Sequence, residues 1–143
     1  MELDSRIWGP HFWFFLHTIA MTYPHYPTSE NKKKTYELIR TFPLFLPNKT
    51  MSANFADLLE TYPVAPYLDN RETFIKWVFF IHNIINERLE KPKITLSEFY
   101  KLYYDQYKPT ETKMIEYIKL KQKIIYIAIL FLFVFLIYYF SDK

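Results

Sequence analysis

Two short stretches gather side chains that can do chemistry. WGPHFWFFLH (Trp8 to His17) sets Gly9 between two indoles and ends on an imidazole. KWVFFIHNIINERLEKP (Lys76 to Pro92) sets His82, Asn83 and Asn86 into an otherwise aromatic and aliphatic segment. If both are helical, Trp13 and His17 share a face at i, i+4, as do His82 with Asn86 at i, i+4 and Asn83 with Asn86 at i, i+3. A single His or Asn bordering a core has a plain explanation: it caps a neighbouring helix or faces water. Metal binding suits the set poorly, because two carboxamides and one imidazole lack the anionic or multi-imidazole donors that transition metals prefer. Carboxamides and imidazole beside aromatic rings do suit a ligand with ring edges, hydroxyls and phosphates, which describes a dinucleotide held by side chains.

What the chain lacks narrows the chemistry further. Its 143 residues hold one glycine, so Gly-rich phosphate loops, which need several close backbone approaches, are excluded. It has no cysteine, which excludes disulfides, thiolate zinc sites, iron–sulfur clusters and a cysteine nucleophile. Of the net charge of +3, residues 111–143 supply +2, from five lysines against Glu111, Glu116 and Asp142, leaving +1 for the rest. A nearly neutral domain is a poor binder of phosphate backbones, so no nucleic-acid partner is expected. Half the residues are hydrophobic and 21% aromatic, enough for a dense core.

The elements that must position the two clusters read as helices. Pro10 suits the first position of a helix running to about Tyr23, ahead of Pro24 and Pro27. A second starts near Thr28 or Ser29 and stops before Pro43, with Lys32 to Lys34 as a solvated face. Asn48 suits the N-cap of a third, which ends before Pro63. Asp69 with Glu72 forms a candidate capping box for a long fourth helix, and Thr95 with Glu98 another for a fifth that runs to about Tyr107. Along the fourth, Ile81, Ile84, Ile85 and Leu89 recur at helical spacing and predict the buried stripe, with Trp77 one turn ahead.

Beyond Pro109 the chain changes character. Ile124 to Phe140 is an uninterrupted apolar run of 17 residues. As a helix it would extend roughly 25 Å, a little short of a hydrocarbon layer of about 30 Å. Lys119, Lys121 and Lys123 before the run, and Tyr138 and Tyr139 near its end, suit the two interfaces and can close that gap. A buried core helix would show a polar face, and none is present. The expectation is a C-terminal membrane anchor with the N-terminal domain on the cytosolic side, because the lysines precede the span. No cleavable secretory signal is expected, since Glu2 and Asp4 precede a stretch broken by Gly9, Pro10 and His11. The boundaries are residues 1–108 for a helical domain and 109–143 for the anchor, spanning at about 124–140.

The order W-G-x-x-x-W-x-x-L-H, then W-x-x-x-x-H-N-x-x-N-x-x-L-x-K, resembles the Erv/Alr family of flavin-linked sulfhydryl oxidases. It is matched by Trp8-Gly9, Trp13 and Leu16-His17, and later by Trp77, His82-Asn83, Asn86, Leu89 and Lys91, within a likeness covering about residues 6 to 107. The resemblance implies an all-α fold: a four-helix bundle with a short fifth helix, here followed by a C-terminal transmembrane helix. It implies FAD as candidate cofactor, with Gly9, Trp13 and His17 lining the flavin site. His82, Asn83, Asn86 and Lys91 would hold adenosine and phosphates, Trp77 belongs to the same set, and Tyr103 is a further aromatic candidate. It also implies a homodimer through helices 1 and 2. The family's redox dithiol opens helix 3, where this chain has LPNKTM, with Asn48 and Met51 at the cysteine positions. Neither a carboxamide nor a thioether can cycle through a disulfide. Many members also carry a structural disulfide at positions that correspond here to Phe79 and Leu96, where apolar packing could replace it. The small anchored form is most similar to versions in large DNA viruses. The missing dithiol predicts a non-catalytic relative that acts as a structural or interaction component, and the resemblance to the viral forms implies a virion inner membrane as its place and viral capsid proteins as its partners. The alternative is a thiol or other flavin oxidase that uses a partner's cysteines.

Overall fold

The computed structural model describes residues 3–141. It contains α1 (Ser5–Thr22), α2 (Ser29–Thr41), a 3₁₀ turn (Phe42–Phe45), α3 (Lys49–Thr61), a second 3₁₀ turn (Ala65–Tyr67), α4 (Arg71–Arg88), α5 (Leu96–Asp105) and α6 (Thr110–Ser141). No strand occurs among the described residues, so the all-α reading stands. The chain divides into two compact units, one up to Tyr103 and one from Tyr104 onward.

Three local expectations need correction. Helix α1 starts at Ser5 rather than Pro10, because the Asp4 carboxylate accepts the Arg6 backbone N–H at 2.8 Å and is gripped by the Arg6 guanidinium. Pro10 then lies inside the helix and forgoes one i→i−4 bond. The cap of α4 is Asn70, which accepts the Thr73 N–H at 2.9 Å, and not Asp69, which pairs with Lys32. The buried stripe of α4 is centred earlier than its isoleucines suggest, on Phe74, Ile75, Trp77, Val78 and Ile81, while Leu89 is exposed. Other local readings are found as expected. Asn48 caps α3 through the Met51 N–H at 2.9 Å, and Thr95 and Glu98 exchange reciprocal bonds ahead of α5.

The first unit is built around α1 against α4, the most extensive helix pairing in the fold. Leu16 and Ala20 of α1 meet the α4 stripe, and Phe42, Phe55, Leu68 and Phe99 close the core around them. Each fully buried side chain of this size contributes about 1.5–3 kcal/mol. Polar tips on core aromatics fasten the connections: Tyr23 Oη donates to the Leu68 carbonyl at 2.9 Å, and Trp77 Nε1 donates to the Tyr62 carbonyl at 3.1 Å. Arg71 donates to the Tyr23 carbonyl and pairs with His25, joining the start of α4 to the α1–α2 connection.

Helix α4 ends in a Schellman motif, with Lys91 N–H bonded to the Asn86 carbonyl at 2.8 Å and Glu90 N–H to the Glu87 carbonyl at 3.1 Å. The motif needs a left-handed residue, and Glu90 supplies it at a φ of 54°. In a chain with one glycine, an ordinary residue carries that strain.

In the second unit α6 is 32 residues long, about 48 Å, and contains the apolar run. It is the one helix among the described residues long and apolar enough to cross a membrane, with a mean hydropathy of 2.6 in its most apolar window.

The strained cap yields a stability prediction. Glu90→Gly should raise unfolding free energy by about 1 kcal/mol, because relief of the left-handed strain exceeds the entropy glycine adds to the unfolded chain. Denaturant midpoints at constant m would show it; an unchanged or lowered midpoint would refute it.

Candidate functional site

The two sequence clusters meet where α1 faces α4. His17 is buried, and its Nε2 lies 3.0 Å from His82 Nδ1 across the helix pair. The Trp13 ring stacks on His82, centroids 4.1 Å apart at 12°, and lies 5.7 Å from His17. Phe99 closes the other side of His17 at 4.4 Å, which brings α5 into the same wall. The i, i+4 spacing placed Trp13 and His17 on the face of α1 that α4 covers, so the second imidazole arrives opposite the first.

Burial, and then the neighbouring His82, lowers the His17 pKa to about 3. Burial, and then the positive charge of Lys91, lowers that of His82 to about 4. Both rings are therefore neutral at pH 7, and one proton lies between them. His17 Nδ1 is buried without a hydrogen-bond partner. An orphaned N–H donor is rarer and costlier than a bare acceptor, so the favoured tautomer puts the His17 proton on Nε2, donating to His82 Nδ1. Neutral His82 must then carry its own proton on Nε2, which makes no hydrogen bond among the described residues.

The remaining candidates divide by whether the chain already employs them. Asn83 is employed at both ends: Nδ2 donates to the Ile94 carbonyl at 2.9 Å and Oδ1 accepts the Ile94 N–H at 3.0 Å, fixing the α4–α5 connection. Trp77 is buried in the core with its N–H used on Tyr62. Tyr103 stacks on Phe14 at 5.5 Å, and its hydroxyl lies 3.3 Å from the Thr18 hydroxyl. The side chains of Asn86 and Lys91, by contrast, have no hydrogen-bond or ion-pair partner among the described residues, and Lys91 acts on His82 by charge alone. At Gly9 a Cβ would meet nothing within 4 Å, so the packing of the chain does not require a glycine there. Asn48 and Met51 stand at the start of α3, half-buried, the carboxamide capping the helix through the Met51 N–H. The 3.0 Å imidazole contact and the Asn83 clamp were beyond sequence reasoning, because both join residues distant along the chain.

The site thus offers an aromatic wall, an outward imidazole N–H, a free carboxamide and a nearby ammonium. Such a set suits a flat heterocycle bearing anionic groups, and no cysteine stands among its side chains.

The profile of the Erv1 / Alr family matches residues 10–119 of the chain. The chain belongs to that family. Among its relatives is the probable FAD-linked sulfhydryl oxidase of Acanthamoeba polyphaga mimivirus, 34% identical over 97 residues that cover 67% of this chain and 68% of that protein. The FAD-linked sulfhydryl oxidase of African swine fever virus (isolate Pig/Kenya/KEN-50/1950) is 36% identical over 110 residues, covering 77% and 87%. The crystal structure of the FAD binding domain of Erv1 from Saccharomyces cerevisiae superposes with a TM-score of 0.65 at 27% identity, covering 72% of this chain and 96% of that one. Membership accounts for the helical bundle and makes FAD the cofactor to test.

The imidazole pair should make this Erv/Alr bundle acid-sensitive in a defined window. Both folded-state pKa values lie below the unfolded value of 6.5, so the stabilisation is complete above pH 6.5 and is lost as pH falls towards 4 and 3. Each imidazole should cost up to about 1.4 kcal/mol per pH unit in that range. Urea unfolding followed by tryptophan emission from pH 7.5 to 4.5, roughly the window in which an unpaired histidine titrates, would measure this. His82→Gln should flatten the slope, and equal slopes for the two proteins would refute the assignment.

Proposed function

We propose that the chain is a membrane-anchored, redox-inactive member of its family that retains an FAD site and serves as a structural or interaction component, in the setting of a large DNA virus particle. The observation that carries the first part is the complete absence of cysteine. Family chemistry passes electrons from a thiolate through a dithiol, and no residue of this chain can form or break a disulfide. The viral setting is supported by relatives from mimivirus and African swine fever virus.

FAD retention is supported by the residues the fold leaves unemployed. Trp13 and His82 present rings suited to flat heterocycles. Their neighbours Asn86, Lys91 and His82 Nε2–H suit the polar edge of adenine and the phosphates. Gly9 leaves room where a side chain would stand. Bound FAD would supply redox chemistry that the protein's own side chains lack. In this reading Asn83 and Trp77 hold the frame rather than the cofactor. The anchor is α6, spanning at about residues 124–140, and the lysines before the run favour the cytosolic side for residues 1–108.

A second reading has one observation in its favour. A binding set kept free beside an absent dithiol also suits a flavin oxidase completed by the cysteines of a partner protein.

Flavin absorbance of the detergent-purified full chain tests the cofactor. Yellow protein is expected, and colourless protein that gains no stability from added FAD would remove this part of the proposal. Gly9→Ala separates site from scaffold: the apoprotein should be unchanged or more stable, by up to about 1 kcal/mol for a helix-interior glycine, while flavin content falls. Oxygen consumption with dithiothreitol should be negligible for the unaltered chain and should appear in Asn48→Cys/Met51→Cys. Substantial turnover by the unaltered chain would overturn the redox-inactive assignment, and turnover only with a cysteine-bearing partner would establish the second reading.

A further inference from the structure

The lysines of α6 are placed for more than snorkelling. Lys119, Lys121 and Lys123 lie within the five residues before the apolar run, an axial band of about 6 Å. The polar layer on either side of the hydrocarbon is about 5–7 Å thick, so one leaflet's headgroups match the whole band. At 100° per residue Lys119 and Lys123 lie about 40° apart and Lys121 about 160–200° from both, so the cations occupy two opposite faces of the helix instead of forming one stripe. A helix lying on a membrane needs a single cationic face, whereas a helix crossing it meets headgroups on every side.

The surrounding charges sharpen this placement. Ahead of the apolar run the last acidic residue is Glu116, which is held with Asp105 by Lys108 at 3.1 and 2.9 Å. No ion pair among the described residues involves Lys119, Lys121 or Lys123, and all three are exposed. Helical Cα–Cβ bonds tilt towards the N-terminus, so lysines ahead of a span reach away from the hydrocarbon without strain. Lys121 does so: its Nζ lies 4.8 Å from the centre of the Tyr117 ring, one turn back.

We infer that this collar of Lys119, Lys121 and Lys123 binds the anionic headgroups of phospholipids in the leaflet at the N-terminal end of the span, and so gives the chain a preference for negatively charged membranes. The inference rests on α6 crossing the bilayer. Phosphatidylcholine has a phosphate but no net charge, whereas phosphatidylserine carries a net negative charge. Clustered lysines at a membrane surface act through that difference, and the attraction weakens with salt.

The full chain, reconstituted into phosphatidylcholine vesicles containing trace spin-labelled lipid, tests both layers. Incorporation that resists alkaline extraction is expected for the unaltered chain and for Lys119→Gln/Lys121→Gln/Lys123→Gln. Extraction of both would refute the span itself. With the span intact, spin-labelled phosphatidylserine should be enriched over phosphatidylcholine in the lipid shell by about threefold or more at low salt, with the enrichment falling in the triple variant and at high salt. Equal occupancy by the two lipids, or enrichment unchanged in the triple variant, would overturn the collar while leaving the anchor standing.

Discussion

A hydrogen bond between the buried imidazole of His17 and the half-buried imidazole of His82 ties together the centre of this fold. His17 and His82 sit 3.0 Å apart on the two helices with the most extensive mutual contact. Neither can be charged without setting a desolvated cation beside its neighbour or beside Lys91. Neutrality then fixes tautomers, and the tautomers fix what the site presents. The inner ring donates, the middle nitrogen accepts, and the outer nitrogen is left with a proton aimed away from the pair. Packing and binding chemistry are thus coupled through one hydrogen bond.

The readings that depended on neighbours along the chain were legible in the sequence. Trp13 and His17, His82 and Asn86, the Asn48 cap and the Thr95–Glu98 box all follow from spacings of three and four residues. The misplaced features each had a nearby competitor. Pro10 marked a plausible helix start, but Asp4 had a second hold on Arg6 and drew the cap forward. Asp69 resembled a cap as well as Asn70 did, but Asn70 accepts the Thr73 N–H while Asp69 pairs with the distant Lys32. Leu89 kept the helical period but lies in the turn where α4 passes the edge of the core, so periodicity outlasted burial. Glu90 in a left-handed conformation could not be foreseen, because the usual glycine signal is absent.

The bundle also shows how little of its architecture depends on sulfur. Helix α3 starts on a carboxamide cap at the position where the resemblance puts a cysteine. Phe79 and Leu96, where the resemblance puts a structural disulfide, pack against the common core, with Phe79 5.9 Å from the Phe99 ring. Two buried apolar side chains contribute at about 1.5–3 kcal/mol each when fully buried, and less here, against roughly 2–4 kcal/mol for a disulfide. The two contributions are close to even, so the bundle can be held together without cysteine.

Stability does not account for every residue at the site. Asn83 is explained by the backbone it clamps, and Trp77 by the carbonyl it meets and the core it fills. Asn86 and Lys91 fasten nothing with their side chains, and Lys91 adds a charge that presses on the neutrality of His82. An unpaired ammonium near this half-buried imidazole disfavours protonation of the ring, which is the wrong direction for stability in acid. The packing of the fold therefore accounts for Asn83 and Trp77 but not for the side chains of Asn86 and Lys91.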